Sequence, residues 1–191
     1  MLTSRFEEAL VYANHLHATQ LRKGRGIPYI AHLLAVASIA LEFGANEDEA
    51  IAALLHDAVE DQGGAETLAA IRERFGEEVA AIVWGCSDTD MTPKPPWQER
   101  KEAYLAHLPH ASGSIRLVSA ADKVHNLRTI IEDYLVLGDE LWERFRGGKE
   151  GTLWYYRAIA DALLAIEPTP IAQLVAKLTQ ELETITRASS L

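Results

Sequence analysis

A chain of 191 residues is long enough for one sizeable core, and a formal net charge of −10 is wrong for a protein that grips nucleic acid across a basic face. Apolar residues make up 48% of it, yet no run approaches the roughly 20 uncharged apolar residues of a membrane span, and the opening MLTSRFEEAL places acids where a secretory signal would be apolar. A cytoplasmic address is expected, with no membrane partner, and the single Cys86 leaves imidazole and carboxylate as the available metal ligands.

Apolar residues recur at three- and four-residue steps and no segment alternates strictly, so the pattern predicts an all-α protein of about eight to ten helices. Ser4 and Glu7 have the spacing of a capping box, opening a helix that keeps Phe6, Leu10, Ala13 and His17 on one stripe to about Leu21. RKGRGIP at 22–28 interrupts it, and Pro28 suits the first turn of YIAHLLAVASIALEF, which Gly44 closes. Glu47, Asp48 and Glu49 complement a new helix N-terminus, and that helix is expected to reach Glu60 before Gly63 and Gly64. Helices at about 65–75 and 77–87 precede SDTDMTPKPPW, whose three prolines forbid continuation and leave either a lid or a connector. The remaining helices are expected at 97–107, 114–137, 139–146, 149–166 and 170–187, in a single domain spanning 1–191.

One stretch departs from core composition: IAALLHDAVEDQ at 51–62 carries His56, Asp57, Glu60 and Asp61 within six residues. On a continuous helix His56 shares a face with Glu60 and Asp57 with Asp61, while His56 and Asp57 point about 100° apart. A hydrogen-bonded core histidine followed by a solvated acidic turn is the bland alternative. It sets acids against the helix dipole at a C-terminus, whereas a divalent cation makes clustered carboxylates stabilising. A His-Asp pair cannot complete a coordination sphere, so further ligands are required, and His32 in PYIAHLLAVA and Asp122 in VSAADKVHNL are the candidates. Each has an ordinary reading too, as a core histidine and as a salt-bridge partner of Lys123. Two imidazoles and two carboxylates suit manganese, iron or zinc rather than calcium.

The order H…HD…D, with an ED pair after the HD, resembles the HD phosphohydrolase superfamily. RKGRGIPYIAH, LLHDAVED, ADKVHNLRTI and KEGTLWYYRAIADALL are together similar to the hydrolase domain of RelA/SpoT proteins and to the small alarmone hydrolases, including the metazoan SpoT-homologue type, over about residues 5–165. The resemblance implies an HD-domain helical bundle with metal binding by His32, His56, Asp57 and Asp122, Mn²⁺ being the usual ion. It implies catalytic roles for Glu60 and Asp61 in activating water and handling the leaving group's proton. Arg22 and Lys23 match the basic pair beside base and phosphates, and Asn126 and Thr129 match groups that contact the nucleotide. These last two lie four and seven residues beyond Asp122, on its face of a helix.

The implied reaction removes the 3′-diphosphate of the guanosine nucleotide (p)ppGpp, leaving GDP or GTP and pyrophosphate. With about 25 residues after 166, a free-standing hydrolase is expected, its oligomeric state open. RKGRGIP differs in length and composition from the family's usual loops, which leaves base preference open. Two rivals stand beside this reading: a hydrolase for another nucleotide such as ppApp or NADPH, and a nucleotide-sensing module without catalysis. The ERK at 99–101 is read as a solvated helix face, and His15, His17, His107, His110 and His125 receive no role.

Overall fold

The computed structural model describes residues 1–89 and 93–188. Ten α-helices and two 3₁₀ segments make up the described residues, with an isolated antiparallel bridge between Leu21 and Pro28 and no β-strand, so the all-α expectation holds. The chain divides into two compact units, Met1–Pro95 with Ala111–Asp122, and Pro96–His110 with Lys123–Leu191.

The first unit is built around α3 (Glu47–Leu55). Asn46 caps it in a reciprocal box with Glu49, and every residue from Ala50 to Leu55 is buried, as expected of a helix apolar all round. α1 (Ser4–Leu16), α2 (Ile30–Glu42) and α6 (Glu77–Cys86) pack against it, and α5 (Gly64–Phe75) pairs with α6. Arg5 ties three of these helices, reaching Asp48 of α3 at 2.8 Å and the Phe75 carbonyl at the end of α5 at 2.8 Å. The start of α8 (Gly113–Leu137) completes the unit, and Gly85 of α6 is what lets it approach: a Cβ there would press into the Ile115 side chain.

The second unit holds α7 (Trp97–His107), the rest of α8, α9 (Gly148–Ile166) and α10 (Pro170–Ala188), with 3₁₀ turns at Leu108–His110 and Gly138–Arg144. Its core includes Tyr104, Leu127, Ile159, Leu163, Val175 and Leu182. Trp97 rests over Gly147 and Gly151; a side chain at Gly147 would collide with its ring, and one at Gly151 would crowd it.

Six expectations need correction. The first helix ends at Leu16 rather than Leu21, because the chain turns at Arg22–Gly26 and closes back through Arg22 N–H to Ile27 O (2.8 Å) and Tyr29 N–H to Gln20 O (2.9 Å). Gly24 and Gly26 take the positive φ this turn needs. Its cap is Thr3, whose hydroxyl accepts from Arg5 N–H, and not a Ser4–Glu7 box. The helix expected to run to Glu60 breaks after Leu55: His56 and Asp57 form a turn, and α4 (Ala58–Asp61) follows. The segment expected as a helix over 139–146 is the 3₁₀ turn Gly138–Arg144, held by Asp139 accepting from Trp142 Nε1 at 3.1 Å. Pro28 lies just before the α2 cap, Tyr29. Arg100 of the ERK segment is buried, which corrects the solvated-face reading at that position. In the proline-rich stretch, 90–92 lie outside the described residues.

Candidate metal centre and its acidic rim

Three separated pieces of chain meet at one point in the first unit. α2 supplies His32, the turn between α3 and α4 supplies His56 and Asp57, and α8 supplies Asp122. His32 Nε2 lies 3.4 Å from Asp57 Oδ2 and 3.3 Å from Asp122 Oδ1; His56 Nε2 lies 3.1 and 3.7 Å from the same two oxygens. Ligand atoms of His32, His56 and Asp57 all fall within 4.8 Å of one another. His56 and Asp57 lie in the turn that follows Leu55, with near-helical backbone angles, and both side chains reach the same centre.

The donor set fits a divalent transition metal. His56 Nδ1 sits 2.8 Å from the Ala53 carbonyl, which can only accept, so Nδ1 carries the hydrogen and Nε2 is the inward atom. That Nε2 is fully buried and makes no hydrogen bond, although carboxylate oxygens stand close by. Burial opposes charging His56, but the facing Asp57 and Asp122 carboxylates outweigh it and hold the imidazole well above its usual range. Burial likewise works against the Asp57 charge, and His56 and His32 overcome it, taking the carboxyl well below its usual range. Two nitrogens and two carboxylate oxygens aimed inward, one of them orphaned, are an arrangement a cation satisfies and a dry core does not.

Tyr29 was not singled out in the sequence, yet its hydroxyl donates to Asp57 Oδ2 at 2.6 Å. Its ring lies flat against His17 (5.2 Å, 17°) and edge-on to His32 (5.5 Å, 71°). Burial, then the Asp57 charge, drives its phenol far above the usual range, so it remains a donor.

Beside the centre, α4 presents Glu60 and Asp61. Glu60 is partly buried, and burial followed by repulsion from Asp88 lifts its carboxyl above the usual range despite Lys94. Asp61 is exposed and accepts at both oxygens, from Gln20 Nε2 at 2.9 Å and from Lys94 Nζ at 3.2 Å. Lys94 Nζ also reaches Glu60 Oε1 at 2.9 Å. Lys94, Gln20 and Gln62 are further participants that residue type alone did not flag.

Arg22 and Lys23 sit in the turn between α1 and α2, Lys23 exposed and the Arg22 guanidinium 6.0 Å from the centre of the Tyr29 ring. Asn126 and Thr129 lie farther along α8, in the second unit, and the Thr129 hydroxyl donates to the His125 carbonyl at 3.0 Å. The structure thus brings the four expected ligands together with Glu60 and Asp61 beside them, and leaves Asn126 and Thr129 outside that unit. Among the described residues no helix is long and apolar enough to cross a membrane.

Comparison with known proteins identifies the family. The HD domain family matches residues 9–143. The chain is 41% identical over 126 residues to the guanosine-3′,5′-bis(diphosphate) 3′-pyrophosphohydrolase MESH1 of Xenopus tropicalis, covering 64% of this chain and 68% of that one. It is 33% identical over 132 residues to the bifunctional (p)ppGpp synthase/hydrolase SpoT of Escherichia coli K12, covering 66% of this chain and 18% of SpoT. A solved structure described as a metazoan ortholog of SpoT that hydrolyzes ppGpp shares the fold, with a TM-score of 0.79 at 24% identity over 95% of this chain and 97% of that one. The family match over residues 9–143 and the 41% identity to a relative covered over 68% of its length place the chain in the HD-domain family.

Proposed function

We propose that this protein is a metal-dependent pyrophosphohydrolase that removes the 3′-diphosphate of (p)ppGpp, giving GDP or GTP and pyrophosphate. The observation that carries the proposal is the convergence of His32, His56, Asp57 and Asp122 in a chain 41% identical to a protein named for this reaction. These four residues would hold the ion, which we take to be Mn²⁺, in keeping with mixed imidazole and carboxylate ligation. When bound, a divalent cation there supplies Lewis acidity, lowering the pKa of water and offsetting charge on phosphoryl oxygens.

The protein's own groups divide the proton work. Water attacks the phosphorus attached to the 3′-oxygen, the 3′ O–P bond breaks, and the sugar oxygen needs a proton. Asp61, exposed and fixed through both oxygens, is placed to orient water and accept its proton. Glu60, whose carboxyl is raised by burial, is suited to carry a proton to the leaving oxygen. Arg22 and Lys23 bring positive charge to the rim on a short turn, and Asn126 and Thr129 on α8 are the proposed nucleotide contacts. The single-domain reading rests on α8, which runs unbroken from Asp122 in one unit to these two residues in the other. The proposal includes a cytoplasmic location, where guanosine nucleotides are available.

Purified protein incubated with Mn²⁺ and, separately, ppGpp, pppGpp, ppApp and NADPH tests this directly. Pyrophosphate release from the guanosine nucleotides is expected. Glu60→Gln and Asp61→Asn should each lower kcat by about 10²- to 10⁴-fold while ppGpp still binds. No pyrophosphate from ppGpp, or turnover unaffected by both changes, would overturn it.

A further inference from the structure

The catalytic reading leaves one buried group unused. His17, the residue that caps the C-terminus of α1, is 2% exposed, and its Nε2 has no hydrogen-bond partner. A buried imidazole with an idle nitrogen is an unfavourable thing to keep unless the other nitrogen has a task. Its Nδ1 lies 2.6 Å from Gln20 Oε1, and Gln20 Nε2 donates at 2.9 Å to Asp61 Oδ2.

The direction of this chain of hydrogen bonds is set from its Asp61 end, where a carboxylate can only accept, so Gln20 presents its NH₂ to Asp61 and its oxygen to His17. An amide oxygen accepts and cannot donate, so His17 Nδ1 carries the hydrogen and the lone pair falls on Nε2, the atom without a partner. Gln62 Nε2 donates to the same Gln20 oxygen and lies 3.4 Å from His17 Nδ1, so the much shorter 2.6 Å contact between His17 Nδ1 and Gln20 Oε1 decides the tautomer. Rotating the Gln20 amide by half a turn would set its oxygen against the Asp61 carboxylate and its NH₂ against the Gln62 donor. The His17 ring cannot easily swing away, because it stacks on Tyr29 and Leu21–Pro28 bridging holds Gln20 opposite Tyr29 in the backbone. Burial also pushes the imidazole below its usual range, against opposing contributions from Gln20, Asp57 and Asp61, which favours the neutral ring this arrangement uses.

We propose that His17 and Gln20 are positioning residues: His17 sets the orientation of the Gln20 amide, and that amide holds the Asp61 carboxylate in the pose from which it serves the attacking water. The inference rests on the role given to Asp61 above. Asp61 needs such a hold because it ends a helix of four residues with its side chain 26% exposed, and because Lys94, the donor at its other oxygen, belongs to an irregular segment. Removing one hydrogen bond to a charged group typically costs enough to slow a step that depends on it by about tenfold or more.

The test compares the full-length wild type with Gln20→Met, His17→Leu and His17→Asn, since an Asn NH₂ can occupy the place of an imidazole Nδ1–H. Gln20→Met and His17→Leu are expected to lower kcat for ppGpp about tenfold with KM within twofold, His17→Asn to recover most of that loss, and the His17→Leu/Gln20→Met pair to be no slower than Gln20→Met alone. Nitrogen NMR of the ¹⁵N-histidine-labelled protein is expected to show His17 as the Nδ1–H tautomer. A Gln20→Met kcat within threefold of wild type, a His17→Asn variant no better than His17→Leu, or an Nε2–H tautomer would each overturn the inference. Asp61→Asn, assayed in parallel, separates the two levels. An inactive Asp61→Asn beside a fully active Gln20→Met removes the positioning role and leaves the hydrolase reading standing. Absence of wild-type activity removes the hydrolase reading, and the tautomer then decides whether the His17–Gln20 alignment exists. If His17→Leu does not fold, Gln20→Met and the tautomer carry the decision.

Discussion

Asp57 Oδ2 faces two imidazoles and takes a 2.6 Å hydrogen bond from Tyr29, so that hydroxyl fixes how the carboxylate is presented to an ion. Partners of this kind typically govern metal affinity by 10- to 100-fold. Tyr29→Phe keeps the ring and its stacking on His17 while deleting the donor. It should weaken Mn²⁺ binding by about that factor in a calorimetric titration, with the melting temperature of the metal-free protein little changed. Unaltered affinity would show that the Asp57 rotamer is set by packing alone. His32, His56, Asp57 and Asp122 were legible in the sequence because each is a charged or metal-binding group set among small apolar residues. Tyr29, Gln20 and His17 were not, because nothing in their residue types is anomalous. A tyrosine, a glutamine and a histidine near a loop are unremarkable until the fold decides which atoms face one another. Lys94 was hidden for a similar reason, in a stretch where three prolines dominated the reading.

At the scale of elements, the decisive feature is the two-residue interruption at His56 and Asp57. No glycine or proline announces it, and the apolar periodicity carries straight through, so the pattern reads as one helix; the ends marked by Gly44 and Gly63, by contrast, were legible because those residues are glycines that adopt positive φ. Helix placement matters equally on the opposite side of the centre. Gly85 of α6 admits the Ile115 side chain of α8, and α8 carries Asp122. Gly85→Ala inserts a methyl group into occupied space and should cost about 1–3 kcal/mol in urea unfolding, as overpacking does. It should also weaken metal binding; a variant as stable as wild type would mean the helices separate freely. In the second unit, the Gly138–Arg144 turn is organised by Asp139, which accepts from Lys149, Trp142 and Tyr134 at 3.0, 3.1 and 3.2 Å. The Lys149 bond is the leading cause of a lowered Asp139 pKa, so the stabilisation is present above the ordinary carboxylate range and is lost as pH falls through the lowered value. A stability gap between wild type and Asp139→Asn should therefore exist at pH 7 and close on acidification below about 4. A gap that persists at low pH would assign the effect to packing.

For the molecule as a whole, the centre concentrates negative charge inside a protein whose net charge is already −10. A cation that binds only the folded form raises stability by about 2.7 kcal/mol at a hundred times its dissociation constant, which for a chain of this size corresponds to roughly 5–10 °C in melting temperature. Chelation should lower the melting temperature by that amount and restoration of Mn²⁺ should recover it; identical melting curves with and without the ion would argue against a site in this position. The all-α class was legible from periodicity alone, whereas the division into two units was not, because α8 belongs to both and reads as one uninterrupted helix. His32 and Asp122 stand ninety residues apart in the chain, with the His56–Asp57 turn between them. A contact of such long sequence separation is rewarded only after the entropy of closing the intervening loop has been met. His32, His56 and Asp57 come together within the α2–α3 hairpin alone, so a partly folded chain holds three of the four donors and gains the fourth, Asp122, only when α8 docks.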